Sequence, residues 1–219
     1  MIETIKFDKV VPNVFVDSPP EGGSTEVWGH TVTFNKGRSY LIEAASGRGK
    51  SSFCAFLYGL RGDYQGAISM YDDNGRLIDR NLGNKIKMRK YGVALMFQEH
   101  RIFPEFTAVE NIMLKNMLTD YYTEKEIRDK LAELGLENRA DVPCVKLSLG
   151  QQQRVAFVRL LAQPADFFLL DEPVSHLDID NALIMSKMLR ERQLTDGAGV
   201  ITTSIGNRLP YEYDNIIKL

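Results

Sequence analysis

Leu147-Ser148-Leu149-Gly150-Gln151-Gln152-Gln153-Arg154, followed by Phe167-Phe168-Leu169-Leu170-Asp171-Glu172-Pro173, decides the reading of this chain of 219 residues. The second stretch is a short apolar run ending in two acids. Such a run reads as a strand buried on both faces. An acid at its C-terminal end can hold a magnesium shell, and the next can polarise an attacking water. Alone, the pair would read as two ordinary acids at the start of a loop. The first stretch opens a helix at Leu149 that leads into this strand.

Upstream lies Ala44-Ala45-Ser46-Gly47-Arg48-Gly49-Lys50-Ser51-Ser52. The buried run Tyr40–Ala44 precedes it, and helical spacing through Phe53, Phe56, Leu57 and Leu60 follows. A phosphate-binding loop needs this strand-to-helix context. The backbone N–H groups of Gly47, Arg48, Gly49, Lys50, Ser51 and Ser52 would wrap phosphates at the helix N-terminus. Ser46 belongs to the same phosphate-binding set. Lys50 would neutralise the outer phosphates, and Ser51 would place its hydroxyl on Mg²⁺. The first glycine of the usual motif is Ala44 here. Alanine serves if its φ is negative and is strained if φ is positive.

Working outward, the first 45 residues read as strands, including a run ending Thr31-Val32-Thr33-Phe34. Pro19-Pro20-Glu21-Gly22-Gly23-Ser24 is a loop by composition. Asp72-Asp73-Asn74-Gly75 marks a hairpin, and Tyr91–Phe97 a buried strand. From about 100 to 148 strand runs give way to helical ones, with a capping box at Thr123–Glu126. Strand-helix alternation then resumes: strand Asp166–Leu170, helix Asp178–Arg192, strand Gly199–Thr203 and strand Ile216–Leu219. Alternation with buried strands implies a parallel sheet.

The bulk numbers are ordinary. Net charge is −2 and no basic block stands out, which argues against an extended nucleic-acid surface. No apolar run approaches the roughly 20 residues that span a bilayer, and the N-terminus lacks signal-peptide features. The expected location is cytoplasmic, with membrane contact only through a partner. Cys54 and Cys144 stand without a Cys/His cluster, so they read as packed thiols.

Taken in order, these motifs resemble the ATP-binding subunits of ABC transporters over essentially the whole chain. Ala44–Ser52 resembles Walker A, Gln98 within Phe97–Pro104 the Q-loop, Leu147–Gln151 the L-S-G-G-Q signature, and Asp171-Glu172 Walker B. Ser175-His176-Leu177-Asp178 resembles the D-loop. The resemblance implies an α/β P-loop NTPase (RecA-like) parallel-sheet core with an N-terminal antiparallel β-subdomain. It also implies one domain over residues 1–219, with core segments 1–99 and 149–219 and an inserted α-helical subdomain at about 100–148. Implied cofactors are ATP and Mg²⁺. Implied partners are a second cassette, in a homo- or heterodimer, and a transmembrane permease. Roles carry over residue by residue. Ser148, Gly150 and Gln151 would cover the partner's ATP, and Asp178 would touch the partner. Gln98 and Asp171 would join Ser51 around the metal, Glu172 would act on the attacking water, and Phe15 would stack on adenine. Phe103–Ile112 resembles the lipoprotein-release and macrolide-efflux type.

Three positions depart from the family: Ala44, Leu149 in place of the signature's first glycine, and Ser204 where a switch histidine is expected. No histidine follows His176. Ser204 is thus the candidate third member of the catalytic set with Glu172 and Gln98, and its short neutral hydroxyl implies slower turnover. Loss of one donor aimed at developing charge costs about 3 kcal/mol, or roughly 10²–10³ in rate. A second reading follows: an ATPase-impaired clamp or regulatory cassette that binds ATP and hydrolyses it slowly. A ribosome- or DNA-acting cassette would need a second cassette or a coiled-coil insertion, and a small-molecule kinase has no use for Leu147–Arg154.

Overall fold

The computed structural model describes residues 1–18, 25–81, 83 and 85–219. The loop expected at Pro19–Ser24 lies outside the described residues. In chain order the elements are β1 (Thr4–Pro12), α1 (Asn13–Val16), β2 (Thr31–Asn35), β3 (Ser39–Glu43), α2 (Lys50–Leu57), β4 (Tyr64–Tyr71) and β5 (Leu77–Arg80). Then come α3 (Lys85–Lys87), which runs into a π-helical turn over Met88–Gly92, β6 (Val93–Met96), α4 (Ala108–Asn116) and α5 (Glu124–Glu133). The chain closes with α6 (Leu149–Leu161), β7 (Phe167–Leu170), α7 (Ile179–Asp196), β8 (Gly199–Ser204) and β9 (Asn215–Lys218).

Two sheets form. One is antiparallel, in the order β2-β1-β4-β5, and the other is parallel, in the order β6-β7-β8-β3-β9. Every residue of β7 and β8 is buried, as strands covered on both faces must be. Their side chains alternate between two cores. Phe167, Leu169 and Ile201 pack with Phe7, Phe34 and Phe53 beneath the antiparallel sheet. Phe168, Leu170 and Val200 pack with Ile112, Leu131 and Phe157 beneath the helices.

Residues 100–148 contain α4, α5 and short 3₁₀ turns. The helices begin where the sequence places caps: Thr107 with Glu110 and Thr123 with Glu126 each close a capping box. Their apolar residues share one core with α6, so this helical layer is packed on the sheet rather than hung from it. The strand expected between Glu26 and Phe34 is confined to Thr31–Asn35, and residues 26–30 form turns.

Candidate functional site

Register places the site. Met96 pairs with Leu170, Leu170 with Thr202, and Glu43 with Ser204. The C-terminal ends of β6, β7, β8 and β3 therefore lie along one edge of the parallel sheet. That edge brings together Gln98, the pair Asp171 and Glu172, Thr203 and the Ala44–Ser52 loop. Open α/β sheets place ligands outside this edge.

Within the loop, positive φ falls on Gly47 (78°) and Gly49 (96°) and not on Ala44. This is how alanine is tolerated where the motif has glycine. A side chain on Gly49 would sit 2.9 Å from the Phe15 ring and 3.1 Å from Trp28, so two aromatics press on the loop where it turns into α2. Phe15 is half-buried on α1 and tilts against Trp28 at 6.4 Å between ring centroids. The Trp28 indole N–H donates to Arg48 O at 3.1 Å. Ser46 and Gly47 are exposed at the loop's apex. Ser52 faces away, accepting from Arg61 at 3.2 Å.

Lys50 is buried, and its Nζ donates to Ala44 O and Ala45 O, both at 2.9 Å. It lies 3.7 Å from Glu172 Oε1, while Gln98 Nε2 donates to Glu172 Oε2 at 3.2 Å. Burial pulls the Lys50 ammonium below the usual lysine range, opposed by the charges of Glu172 and Asp171. Asp171 is held above the usual carboxylate range by burial, although the Thr203, Ser51 and Cys54 side chains hydrogen-bond to it. Glu172 takes a left-handed backbone, φ 49°, rare for a residue with a side chain. The structure thus gathers Lys50, Ser51, Gln98, Asp171 and Glu172.

Ser204 sits apart. It is buried, and its hydroxyl donates to Asn207 O at 2.8 Å and accepts from Gly206 N at 2.9 Å. These bonds turn it into its own loop.

A second group surrounds the start of α6. Ser148 caps the helix by accepting from the Gln151 N–H at 3.3 Å, and Gln151 Oε1 accepts from the Ser148 N–H at 3.0 Å. Gly150 abuts the next loop so closely that a Cβ would fall 2.6 Å from His176 O. Leu149 occupies the first helical position, where no positive φ is required, and is 57% exposed. Asp178 caps α7 by accepting from the Asn181 N–H at 2.8 Å, and the Asn181 hydrogen bonds hold its carboxyl below the usual range. The Ser175 N–H donates to Glu172 O at 3.4 Å, tying this group to the acidic pair.

A groove of about 430 Å³ opens beside the residues that follow Gln98. Its walls include Tyr58, Phe97, Phe103, Leu114, Lys115 and Arg159. A larger cavity, about 530 Å³, lies at the opposite edge of the sheet around Ile2, Met88 and Asp166. There the Asp166 carboxylate is already engaged by Lys36 at 2.9 Å and by the Ile2 N–H at 2.6 Å.

Reading the sequence missed Trp28, Thr203 and the groove. Trp28 carried one signal, as the chain's single tryptophan. Thr203 carried none beyond its place beside Ser204.

A glycine-bearing loop closed on a buried lysine, facing two acids at the end of β7, one strand beyond the loop's neighbour β8, defines a P-loop nucleotide-binding protein. The family model described as "ABC transporter" matches residues 28–175. The chain belongs to the ABC transporter family, as an ATP-binding cassette with ATPase activity. It is 34% identical over 173 residues to the lipoprotein-releasing system ATP-binding protein LolD of Francisella tularensis subsp. holarctica, covering 77% of this chain and 73% of that one. It is 31% identical over 173 residues to the cytochrome c biogenesis ATP-binding export protein CcmA of Aliivibrio fischeri, covering 78% and 80%. The fold matches the dimeric bacterial ABC transporter cassette MJ0796 with a TM-score of 0.77 at 24% identity, over 98% of this chain and 94% of that one. These relatives favour a transporter subunit over a clamp or regulatory cassette. Among the described residues no helix is long and apolar enough to cross a membrane. Phe15, Asp178 and Ser204 lie outside the span that the family model matches.

Proposed function

We propose that this chain is the energising subunit of a lipoprotein-release-type transporter, binding Mg-ATP between two cassettes joined head to tail. One observation carries the reading: Lys50, Gln98 and Asp171 converge with Glu172 at a single sheet edge. In this reading the N–H groups of Gly47 to Ser52 and the Lys50 ammonium hold the phosphates. Gln98 holds Glu172 from the side opposite Lys50, and Glu172 takes the proton from the attacking water. Ser148, Gly150 and Gln151 of one cassette cover the ATP of the other, Asp178 meets that cassette, and Phe15 backs the adenine.

The residues fit magnesium. The Ser51 hydroxyl meets the Asp171 carboxylate and Gln98 adds an amide oxygen, an all-oxygen set suited to a hard cation. Among the described residues no cluster of three or more His, Cys, Asp or Glu side chains could hold a metal. The ion would therefore take much of its shell from phosphate and water, as Mg²⁺ commonly does. When bound it supplies charge neutralisation between the outer phosphates.

Residues 1–219 act as one cassette, with about 100–148 as the helical subdomain. The groove beside Gln98 is the docking surface for the permease, because an occupant there presses on the segment that leads back to Glu172. Docking would keep the chain at the cytoplasmic face of the membrane. Phe103–Ile112 and the LolD relatives support the lipoprotein-release type.

The test is Glu172→Gln. It keeps the shape and removes the base, so ATP should bind and persist, with turnover down at least roughly 100-fold. In size-exclusion chromatography with Mg-ATP, this variant should run as a dimer and Lys50→Ala as a monomer. Unchanged hydrolysis in Glu172→Gln would overturn the assignment of the base, and a monomer with ATP bound would overturn the sandwich.

A further inference from the structure

β8 ends in three consecutive hydroxyls, and strand alternation sends them different ways. Thr202 Oγ1 donates to the Tyr213 hydroxyl at 2.8 Å. Ser204 serves its own turn. Thr203 alone of the three reaches the acidic pair. Its Oγ1 donates to Asp171 Oδ1 at 2.6 Å and accepts from the Glu172 N–H at 3.1 Å. We infer that Thr203 is a positioning residue for ATP hydrolysis, holding the metal-facing acid and the base in fixed relation through one hydroxyl.

The geometry leaves that hydroxyl little freedom. It has one proton and two lone pairs. The proton goes to a carboxylate, the stronger acceptor, which leaves a lone pair for the N–H. Asp171, Glu172 and Thr203 are all buried, so water does not substitute for a lost partner. The Asp171 N–H is already bonded to Met96 O, which fixes the chain one residue earlier. Glu172 then departs from strand geometry at φ 49°. Thr203 is what the structure places on the N–H of that strained residue. Without it the backbone relaxes toward negative φ, and the Glu172 carboxylate leaves Gln98 and Lys50. Asp171 loses the Thr203 donor at the same moment.

The inference rests on Asp171 facing the metal and Glu172 acting as base. Three variants test it in the full chain: Thr203→Val replaces the hydroxyl with a methyl, Thr203→Ser keeps it, and Glu172→Gln runs alongside. Steady-state ATPase is measured against Mg²⁺ concentration, with ATP affinity and thermal melting recorded on the same samples. For Thr203→Val, the Mg²⁺ needed for half-maximal rate should rise about 10-fold, within the range seen when a residue supporting a metal ligand is removed. Its kcat should fall by about the same factor or more, with ATP affinity within about two-fold of the parent. Thr203→Ser should restore both to within about three-fold. A Thr203→Val protein with the parent's Mg²⁺ dependence overturns the inference. So does a Thr203→Ser protein as impaired as the valine variant, since the methyl and not the hydroxyl would then matter. If valine prevents folding, Thr203→Ala gives the same reading without an added buried methyl. Loss of activity in Glu172→Gln with an indifferent Thr203→Val removes the positioning role alone. Normal activity in Glu172→Gln removes the reading beneath it.

Discussion

Asp171 shows what a buried carboxylate does to the protein that houses it. Burial raises its pKa although three side chains hydrogen-bond to it. A carboxyl whose folded pKa exceeds its unfolded value binds protons more readily when folded, so stability falls as pH rises from the unfolded value through the raised one. Above that window the cost of burying the anion is fully present. Asp171→Asn removes it. In nucleotide-free, magnesium-free buffer at neutral pH this variant should melt above the parent, while its magnesium-dependent hydrolysis is lost. A variant that melts lower would show that the hydrogen bonds to the anion outweigh its burial. The sequence made Asp171 legible by its company, because acids that alone would read as an ordinary loop start follow Leu147–Arg154 in the order of a known set of motifs. It did not reveal Thr203 or the direction of Ser204. Strand side chains alternate, so one residue of register decides which hydroxyl meets the site, and register comes from partners far along the chain. Ala44 was half legible: its tolerance turned on a backbone angle, and φ is not positive.

α6 is the element that joins the parts. Its start carries Ser148, Gly150 and Gln151, its middle carries Gln153 and Arg154, and near its end Arg159 reaches the segment after Gln98. Gln153 accepts from the His176 N–H at 3.1 Å, and Arg154 donates to Leu134 O at 2.7 Å and Asn181 Oδ1 at 2.9 Å. The Arg159 guanidinium donates to Arg101 O at 2.8 Å and to His100 O. His100 and Arg101 both hold positive φ, 59° and 47°, so the bonds to Arg159 pin a strained stretch. Arg159→Met keeps the apolar stem and drops the fork. It should cost about 2 kcal/mol, the scale of a hydrogen bond from a charged donor, and lower the melting temperature by roughly 4–8 °C. Arg159→Lys should recover little, because one ammonium does not reproduce two fixed donors. A melting temperature unchanged in both variants would contradict the pinning. The helix itself was legible from its cap and spacing. Its cross-links were not, because they join residues up to 59 positions apart in sequence.

At the scale of the molecule, the parallel sheet separates two cores and gathers the Ala44–Ser52 loop and the acidic pair at its C-terminal edge. Alternating strands and helices announced that sheet, but its order, β6-β7-β8-β3-β9, was not readable locally. Glu43 finds Ser204 only in the folded chain. The groove is legible only at this scale, since its walls come from Tyr58 just past α2, from β6 and the segment after it, and from α4 and α6. Its chemistry is apolar with a cationic side. Arg101 lies over the Phe97 ring at 3.9 Å, and Arg89 over Tyr58 at 5.1 Å. Burial first, then the charges of Arg159 and Arg89, lower the Lys115 pKa. Phe103, 53% exposed and tilted on Phe106 at 5.5 Å between centroids, is the aromatic most available to a partner. Aromatic anchors of this kind contribute about 2 kcal/mol or more to an interface, roughly thirty-fold in affinity. Phe103→Asp places a carboxylate on an exposed site near Arg101 and Lys115, so the fold should persist. Membrane extracts should then yield the permease with the parent cassette and at least about ten-fold less with the variant. ATP binding should stay with both, because no residue of the phosphate loop lines the groove. Equal recovery of the permease would move the docking surface elsewhere on the cassette, and loss of ATP binding would mean that Phe103 supports the fold rather than the contact.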